Sequence, residues 1–262
     1  MARLGPPTGD DLRSRLSATG CSPGTFLGLQ SPVAAEIAGL AGLEWVVLDL
    51  EHGGGTAADV GPTVAAAAGY DVAVIVRVPR PDRAMIGWVA DQGAAGIMVP
   101  RIESVDEARE VAGFFSYPPD GERGVASYTR AAGWGQKKLT DLPRPVYMPQ
   151  IETPGALSDV DHIAALPEVD ALFIGPLDLS FALGVPGKLS DEGFLSAFRQ
   201  TVQAGAAHRI PVGSIAPSNE RAEVMVADGV NFVALGSDGL WLRQSLGESA
   251  EALRNWSQDE RA

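Results

Sequence analysis

The amino-acid sequence predicts a (β/α)8 barrel, and three observations lead to this fold class. Eight short apolar runs alternate with segments of helical periodicity along the 262 residues. The runs are continuously apolar, as in Trp45-Val46-Val47-Leu48, which is the pattern of parallel strands buried on both faces. The length suits a single barrel, for which about 250 residues is typical. An open doubly wound sheet is the lesser alternative.

The predicted elements follow one another in regular alternation. A helical lead-in occupies residues 1–20, and strands are predicted at 24–29, 44–50, 72–78, 96–99, 146–151, 171–174, 211–214 and 231–235. Helices are predicted at 32–40, 57–68, 82–91 and 105–115, each later strand is followed by a helical run, and residues 238–262 form the C-terminal helix. The sequence therefore predicts one barrel domain over residues 1–262.

Charge and composition exclude several classes of function. The net charge of −13 would repel nucleic-acid phosphates and anionic lipids, so neither nucleic acid nor a membrane is an expected partner. No apolar run approaches the ~20 residues of a membrane span, and the first residues lack an apolar signal segment. The single cysteine, Cys21, excludes an internal disulfide and a cysteine-based zinc site, which fits a cytoplasmic protein.

Two acidic residues follow neighbouring strands. Glu152 and Asp178 are 26 residues apart, about one strand–helix repeat, so a parallel sheet would bring both carboxylates to the same edge. Two protein oxygens leave an octahedral cation positions for water and substrate, which suits Mg2+, Mn2+ or Co2+. The alternative is that an acid after a strand caps the next helix, as Glu152 before Thr153-Pro154 would.

Other polar residues are also predicted at the carboxyl ends of the strands, where barrels place their active sites. These residues are Asp49, Glu51 and His52 after the second strand, Arg77, Arg101, Gln150, Ser214, Gly236 and Ser237.

His52 and Arg77 are interpreted as catalytic. His52 follows Asp49 and Glu51, so a carboxylate is available to orient its ring for acid–base work, although a lone histidine is often structural. Arg77 ends an apolar strand, where a permanent charge requires an anionic partner. That partner is either an anionic substrate or a salt bridge to Asp49 or Glu51.

The segment from residue 117 to residue 145 is long for a connection without a function, and we predict that it is an active-site loop. Its arginines, Arg123 and Arg130, would face the substrate, or else lie on a solvated surface.

The motifs that are missing restrict the mechanism. The lysines Lys137, Lys138 and Lys188 all fall in predicted loops, so no strand lysine is available for a Schiff base. The sequence has no G-x-S-x-G elbow, H-E-x-x-H, P-loop or dinucleotide fingerprint. Serine hydrolysis and hydride transfer therefore have no support.

These residues occur in a recognisable order: Leu48-Asp49-Leu50-Glu51-His52, Arg77, Val99-Pro100, Arg123-Gly124-Val125, Gln150-Ile151-Glu152-Thr153, and Phe173-Ile174-Gly175-Pro176-Leu177-Asp178-Leu179-Ser180. In this order the chain resembles the HpcH/HpaI aldolase family, metal-dependent aldolases built on the phosphoenolpyruvate/pyruvate type of barrel. The resemblance runs from about Phe26 to the last strand. It implies a homo-oligomer, either a trimer or a hexamer, often with the last helix exchanged between subunits.

The resemblance also implies roles for individual residues. Glu152 and Asp178 match the metal ligands, Arg77 the arginine on the oxo-acid oxygen, His52 the acid–base histidine, Asp49 its partner, and Gln150 a pocket residue. Gly175, Pro176, Leu177 and Asp178 match the loop whose backbone N–H groups hold the substrate carboxylate, and Arg123 is assigned to substrate binding. The family usually has a small residue, often Ala, where this chain has Leu177, so we expect a narrower or re-aimed pocket.

The predicted activity is reversible aldol cleavage of a 4-hydroxy-2-oxo acid into pyruvate, or a related 2-oxo acid, and an aldehyde. Three alternatives remain open. Oxaloacetate decarboxylation or a specialised synthase would use the same enolate, and a lyase acting on a CoA ester would need adenine and pyrophosphate contacts that the sequence does not reveal. A non-catalytic binder of oxo acids is the alternative from another class.

Overall fold

A computed structural model describes residues 5–259 and shows the predicted barrel. Eight parallel strands close in chain order, each hydrogen-bonded to the next and β8 to β1. The strands are β1 (Ser22–Leu27), β2 (Trp45–Asp49), β3 (Ala73–Arg77), β4 (Gly96–Val99), β5 (Val146–Ile151), β6 (Leu172–Ile174), β7 (Val212–Ala216) and β8 (Phe232–Ser237). The fold class predicted from the sequence is confirmed.

Helices connect the strands on the outside of the barrel. They are α1 (Gly9–Leu16), α2 (Pro32–Leu40), α3 (Val60–Ala68), α4 (Arg83–Asp91), α5 (Val105–Ala112), α6 (Pro154–Ser158), α7 (Val160–Ala164), α8 (Pro176–Ala182), α9 (Glu192–His208), α10 (Asn219–Ala227) and α11 (Asp238–Asp259). Short 3-10 turns add Ala57–Asp59, Gly133–Gly135 and Leu139–Asp141. Residues 1–4 of the predicted lead-in and 260–262 of the predicted last helix lie outside the described residues.

Two apolar layers hold the barrel together. The interior is filled by strand side chains that include Trp45, Phe173 and Phe232, and α1 adds Leu12 and Leu16 to the same cluster. The second layer lies between the strands and the surrounding helices. Because the interior is filled, the space available for a ligand is at the ends of the strands rather than along the barrel axis.

The long segment between α5 and β5 does not lie where the sequence analysis put it. It joins the end of a helix to the start of a strand, so it packs at the amino-terminal ends of the strands, opposite the usual active-site face of a barrel. There the Ala131 N–H donates to the Asp91 carbonyl at 3.2 Å, and Arg130 packs near Gly93, just before β4. The prediction of an active-site loop is wrong within this chain.

None of the helices described here is both long enough and apolar enough to cross a membrane.

Candidate active site

A cavity of about 330 Å3 opens at the carboxyl ends of the strands. Its lining combines residues predicted from the sequence with several, mostly apolar, that were not predicted. The lining residues are Phe26, Gly28, Asp49, His52, Arg77, Gln150, Phe173, Gly175, Pro176, Leu177, Asp178, Ile215 and Ser237. The residues predicted to act in catalysis or to bind the metal or the substrate all line this cavity except Arg123 and Glu152, and Glu152 lies directly behind the wall beside Gly175.

Arg77 is held by two carboxylates. The ladder between β2 and β3 pairs Asp49 with Arg77, so the two side chains lie next to each other at the strand ends. Arg77 Nε donates to Asp49 Oδ1 at 2.8 Å and Nη2 donates to Oδ2 at 2.6 Å, while Nη1 lies 3.1 Å from Glu51 Oε2. The guanidinium has five N–H donors, so these contacts leave two N–H groups for a ligand in the cavity. The salt bridge and the substrate contact, which the sequence offered as alternatives, are compatible.

Burial acts to raise the pKa of Asp49, but the hydrogen bonds and positive charge of Arg77 outweigh it, so the Asp49 pKa lies below its usual range. Asp49 is therefore ionised at neutral pH and compensates the charge of the buried guanidinium.

The relation between Asp49 and His52 differs from the expected one. The Asp49 carboxylate accepts the backbone N–H groups of Glu51 at 3.1 Å and His52 at 3.3 Å, but it is paired with Arg77 rather than with the histidine ring. The His52 ring is exposed, and its Nε2 lies 3.9 Å from Glu51 Oε2. Asp49 thus shapes the turn that carries His52, and Glu51 is the carboxylate beside the imidazole.

Glu152 is a buried carboxylate held in a fixed orientation. Its Oε1 accepts the Arg101 N–H at 2.8 Å, and its Oε2 accepts from Gln150 Nε2 at 3.1 Å. Arg101 has a φ of 55°, an uncommon value for a residue with a side chain, and this conformation presents its N–H to the carboxylate. Burial raises the pKa of Glu152 to about 7, and the negative charges of Asp178 and Glu51 add to the effect.

Gly175 is the residue that lets the β6–α8 connection pass close to Glu152. A Cβ at Gly175 would overlap Glu152 Oε2 and would lie 3.3 Å from Gln150 Nε2. The first hydrogen bond of α8 runs from the Leu179 N–H to the Gly175 carbonyl at 3.0 Å, so the N–H groups of Leu177 and Asp178 precede the hydrogen-bonded ladder. These groups are donors at the wall of the cavity, which Leu177 and Asp178 both line.

The residues at this site fit a divalent cation. Glu152 is a buried carboxylate whose pKa the Asp178 charge raises further, and a cation between the two would relieve that repulsion. Gln150 Oε1 is also buried and has no hydrogen-bond partner among the described residues. Within residues 5–259 no cluster of three or more His, Cys, Asp and Glu side chains is arranged around a metal position. Glu152 and Asp178 would therefore provide a two-carboxylate site in which solvent and ligand complete the coordination.

Leu177 and three residues that sequence reasoning missed form the apolar part of the lining. Phe26, Phe173 and Ile215 come from β1, β6 and β7, and the Arg77 guanidinium carbon lies 5.1 Å from the centre of the Phe26 ring. Leu177 is 59% exposed at the rim. The signal available in the sequence was position alone, because apolar residues near a strand end look like ordinary core residues.

Two predicted residues have other roles in the chain. Arg123 is buried, donates from Nη2 to Asp91 Oδ1 at 2.8 Å, and stacks 4.6 Å above the Tyr117 ring at the opposite end of the barrel. It does not line the cavity, because its segment precedes a strand rather than following one. Ser214 is buried and donates to the Ile174 carbonyl at 3.0 Å, which is a contact between strands.

The chain is similar to known proteins that share one family. The family model HpcH/HpaI aldolase/citrate lyase matches residues 23–245. The chain is 35% identical over 253 residues to a hydroxypyruvate/pyruvate aldolase of Paraburkholderia phytofirmans, covering 93% of this chain and 97% of the relative. It is 34% identical over 235 residues to a 5-keto-4-deoxy-D-glucarate aldolase of Shigella dysenteriae serotype 1, covering 86% and 90% of the two chains.

Among solved structures, an HpcH/HpaI aldolase/citrate lyase family protein from Burkholderia cenocepacia J2315 superimposes with a TM-score of 0.89 at 30% identity, covering 93% of this chain and 98% of that one. The match of the family model to most of the barrel agrees with the relatives and with the fold. The chain belongs to the HpcH/HpaI aldolase/citrate lyase family.

Proposed function

We propose that the protein is a divalent-metal-dependent aldolase that cleaves a 4-hydroxy-2-oxo acid reversibly into pyruvate, or a related 2-oxo acid, and an aldehyde. One observation carries the proposal: Asp178, the buried Arg77 and the exposed His52 line one cavity, and the buried carboxylate of Glu152 lies directly behind its wall. Relatives named as aldolases of hydroxypyruvate, pyruvate and a keto-deoxy sugar acid support the same reaction class.

The cation, Mg2+, Mn2+ or Co2+, would be held by Glu152 and Asp178. When bound, it supplies Lewis-acid stabilisation of the negative charge that develops on the 2-oxo oxygen. Ionisation of Glu152 is a requirement for this role, because a protonated carboxyl is a poor ligand for a cation.

Arg77 is proposed to stabilise the enolate through its two remaining N–H groups. Its three contacts with Asp49 and Glu51 hold the guanidinium in place before the substrate arrives. A donor fixed in advance needs no reorganisation during the reaction, which is the reason such groups are effective. The N–H groups of Leu177 and Asp178 would receive the substrate carboxylate.

His52 is proposed to act as the base, directly or through a water molecule. It accepts the proton of the C4 hydroxyl, and the C3–C4 bond breaks. The electron pair of that bond forms the enolate while C4 becomes the carbonyl carbon of the aldehyde. Glu51 Oε2 lies 3.9 Å from Nε2 of the ring. In the synthetic direction the enolate attacks an aldehyde and His52 returns the proton.

We also propose a homo-oligomer, a trimer or a hexamer. α11 exposes several large apolar side chains, which would be costly to leave in water: Trp241, Leu242, Leu246, Leu253 and Trp256. Light scattering coupled to size-exclusion chromatography tests this, and a monomer at micromolar concentration would contradict it.

The proposed reaction is tested by following pyruvate release from a set of 4-hydroxy-2-oxo acids, and aldol formation from pyruvate or hydroxypyruvate with a panel of aldehydes. Oxaloacetate decarboxylation is measured in parallel. Aldol turnover that exceeds decarboxylation supports the proposal. Decarboxylation with no aldol turnover would indicate a decarboxylase, and the absence of both activities would indicate a non-catalytic binder or a lyase that acts on a CoA ester.

A further inference from the structure

Gln30 is a buried polar residue directly beneath the turn that carries His52. It lies between β1 and α2, is only 5% exposed, and has a φ of 53°. Positive φ is uncommon for a residue with a side chain and persists where the surroundings fix it. The residues that surround Gln30 belong to the turn from Asp49 to Gly55.

The side chain of Gln30 fills the inside of this turn. Its Nε2 donates to the Asp49 backbone carbonyl. A Cβ at Gly53 would lie 2.6 Å from Gln30 Nε2, and a Cβ at Gly55 would overlap Gln30 Oε1. In the sequence, Gly53-Gly54-Gly55 is a turn signal only, whereas in the structure Gly55 makes room for the Gln30 amide, and Gly53 makes room for the Asp49 carbonyl and the same amide.

The turn is also tied to the neighbouring connection. The Gly54 N–H donates to the Gly28 carbonyl at 3.0 Å, and the Gly28 N–H donates to Asp238 Oδ1 at 2.8 Å. These bonds join the ends of β1, β2 and β8 around the cavity. Gln30 is the side chain at the centre of that connection, because it satisfies the carbonyl at the point where β2 ends and the turn begins.

We propose that Gln30 is a positioning residue for the reaction: its amide fixes the turn and so places the His52 imidazole over the cavity. The kinetic part of this inference rests on the proposed aldolase function. Asp49 is held independently by its two hydrogen bonds to Arg77 and by the β2–β3 ladder, so loss of the amide would displace His52 more than Arg77.

The kinetic test uses Gln30→Met, which keeps the length of the side chain and removes the donor. Aldol cleavage is expected to lose about 10- to 10²-fold in kcat, as for a misplaced catalytic group, while KM for the oxo acid changes little. Oxaloacetate decarboxylation, which needs no base for an alcohol, is expected to fall less than threefold. Equal loss in both reactions, or no loss in either, would overturn the proposal.

A second test does not depend on activity. Gly55→Ala is expected to lower Tm by about 3 °C or more in the natural background and by clearly less in a Gln30→Gly background, where the Gln30 Oε1, Cδ and Cβ atoms that a Cβ at Gly55 would overlap are all removed. Gly87→Ala is the matched control, because no atom lies within 4 Å of a Cβ there, and its effect should be the same in both backgrounds. Additive effects of Gln30→Gly and Gly55→Ala would refute the packing of Gln30 against this turn. This result is readable even in a protein without aldol activity, so it separates failure of the inference from failure of the proposed function.

Discussion

Replacing Arg77 by lysine tests the role of the planar guanidinium. Arg77 makes three short contacts with Asp49 and Glu51 and is 9% exposed. A lysine ammonium keeps the charge but cannot contact both oxygens of Asp49 and also Glu51 in one plane. A hydrogen bond to a charged group contributes about 1.5–3 kcal/mol, so losing one or two of the three should lower the free energy of unfolding by about 1.5–6 kcal/mol.

The loss of kcat in Arg77→Lys should exceed any loss that reduced folding stability would cause. Removing a donor aimed at developing negative charge costs about 10²–10³-fold in kcat, and lysine lacks the planar guanidinium N–H groups that would donate at that position. The assay is kcat for aldol cleavage on protein that denaturant unfolding shows to be folded, together with its unfolding free energy.

Arg13→Lys is the matched control. Arg13 also binds one carboxylate with two nitrogens, Nε to Asp170 Oδ1 at 2.8 Å and Nη2 to Oδ2 at 3.3 Å, but at the other end of the barrel. It should lose stability with kcat unchanged within about twofold, as expected for a residue outside the reaction. An unchanged kcat in Arg77→Lys, or an equal loss in Arg13→Lys, would refute the assignment of Arg77 to the reaction.

Three further predictions follow from the same geometry. His52→Ala should reduce aldol cleavage by about 10²–10⁴-fold and oxaloacetate decarboxylation much less, since only the first reaction needs a base; equal losses with metal content intact would assign His52 to substrate positioning and make Glu51 the next candidate base. Burial raises the pKa of Glu152 from 4.5 to about 7, so in the metal-free protein this group should contribute most to stability below about pH 4.5, and the contribution should be lost as the pH rises through 7. Glu152→Gln should remove this pH dependence of Tm in thermal melts of the chelated protein. An unchanged pH profile in the variant would contradict the assignment. Leu177→Ala should widen the rim of the cavity and raise kcat/KM for bulkier aldehydes relative to glycolaldehyde by about 10-fold, which is the discrimination that removing a few apolar carbons from a pocket can produce. An unchanged ratio would place Leu177 outside the site that binds the aldehyde.

The barrel was predictable because its strands are buried on both faces and therefore read as continuous apolar runs. The predicted strand 96–99 coincides with β4, and the predicted strand 146–151 coincides with β5. The site was partly predictable for a related reason. Arg77 and Gln150 interrupt an apolar pattern near the carboxyl end of a strand, which is the end of the barrel where active sites lie.

The remaining features depend on contacts between residues that are distant in the sequence. Nothing local shows that Asp49 pairs with Arg77 rather than orienting the His52 ring, since that choice follows from the register of β2 against β3. Arg123 lies at the opposite end of the barrel because its segment joins the end of α5 to the start of β5, and the length of a segment does not indicate at which end of the barrel it packs. The sequence around Gln30 carries no signal of its role, because that role depends on contacts with Asp49, Gly53 and Gly55 in another connection.

Metal binding is the most direct test of the central claim, that Glu152 and Asp178 form a divalent-metal site required for aldol chemistry. The measurement is pyruvate release from a 4-hydroxy-2-oxo acid by chelator-treated protein, before and after addition of Mg2+, Mn2+ or Co2+, with calorimetric titration of the same ions into the natural protein and into Glu152→Gln and Asp178→Asn. The proposed site predicts that chelation abolishes activity, that at least one ion restores it, and that both variants fold but bind that ion much more weakly. Full activity in excess chelator, or unchanged ion affinity in both variants, would contradict it.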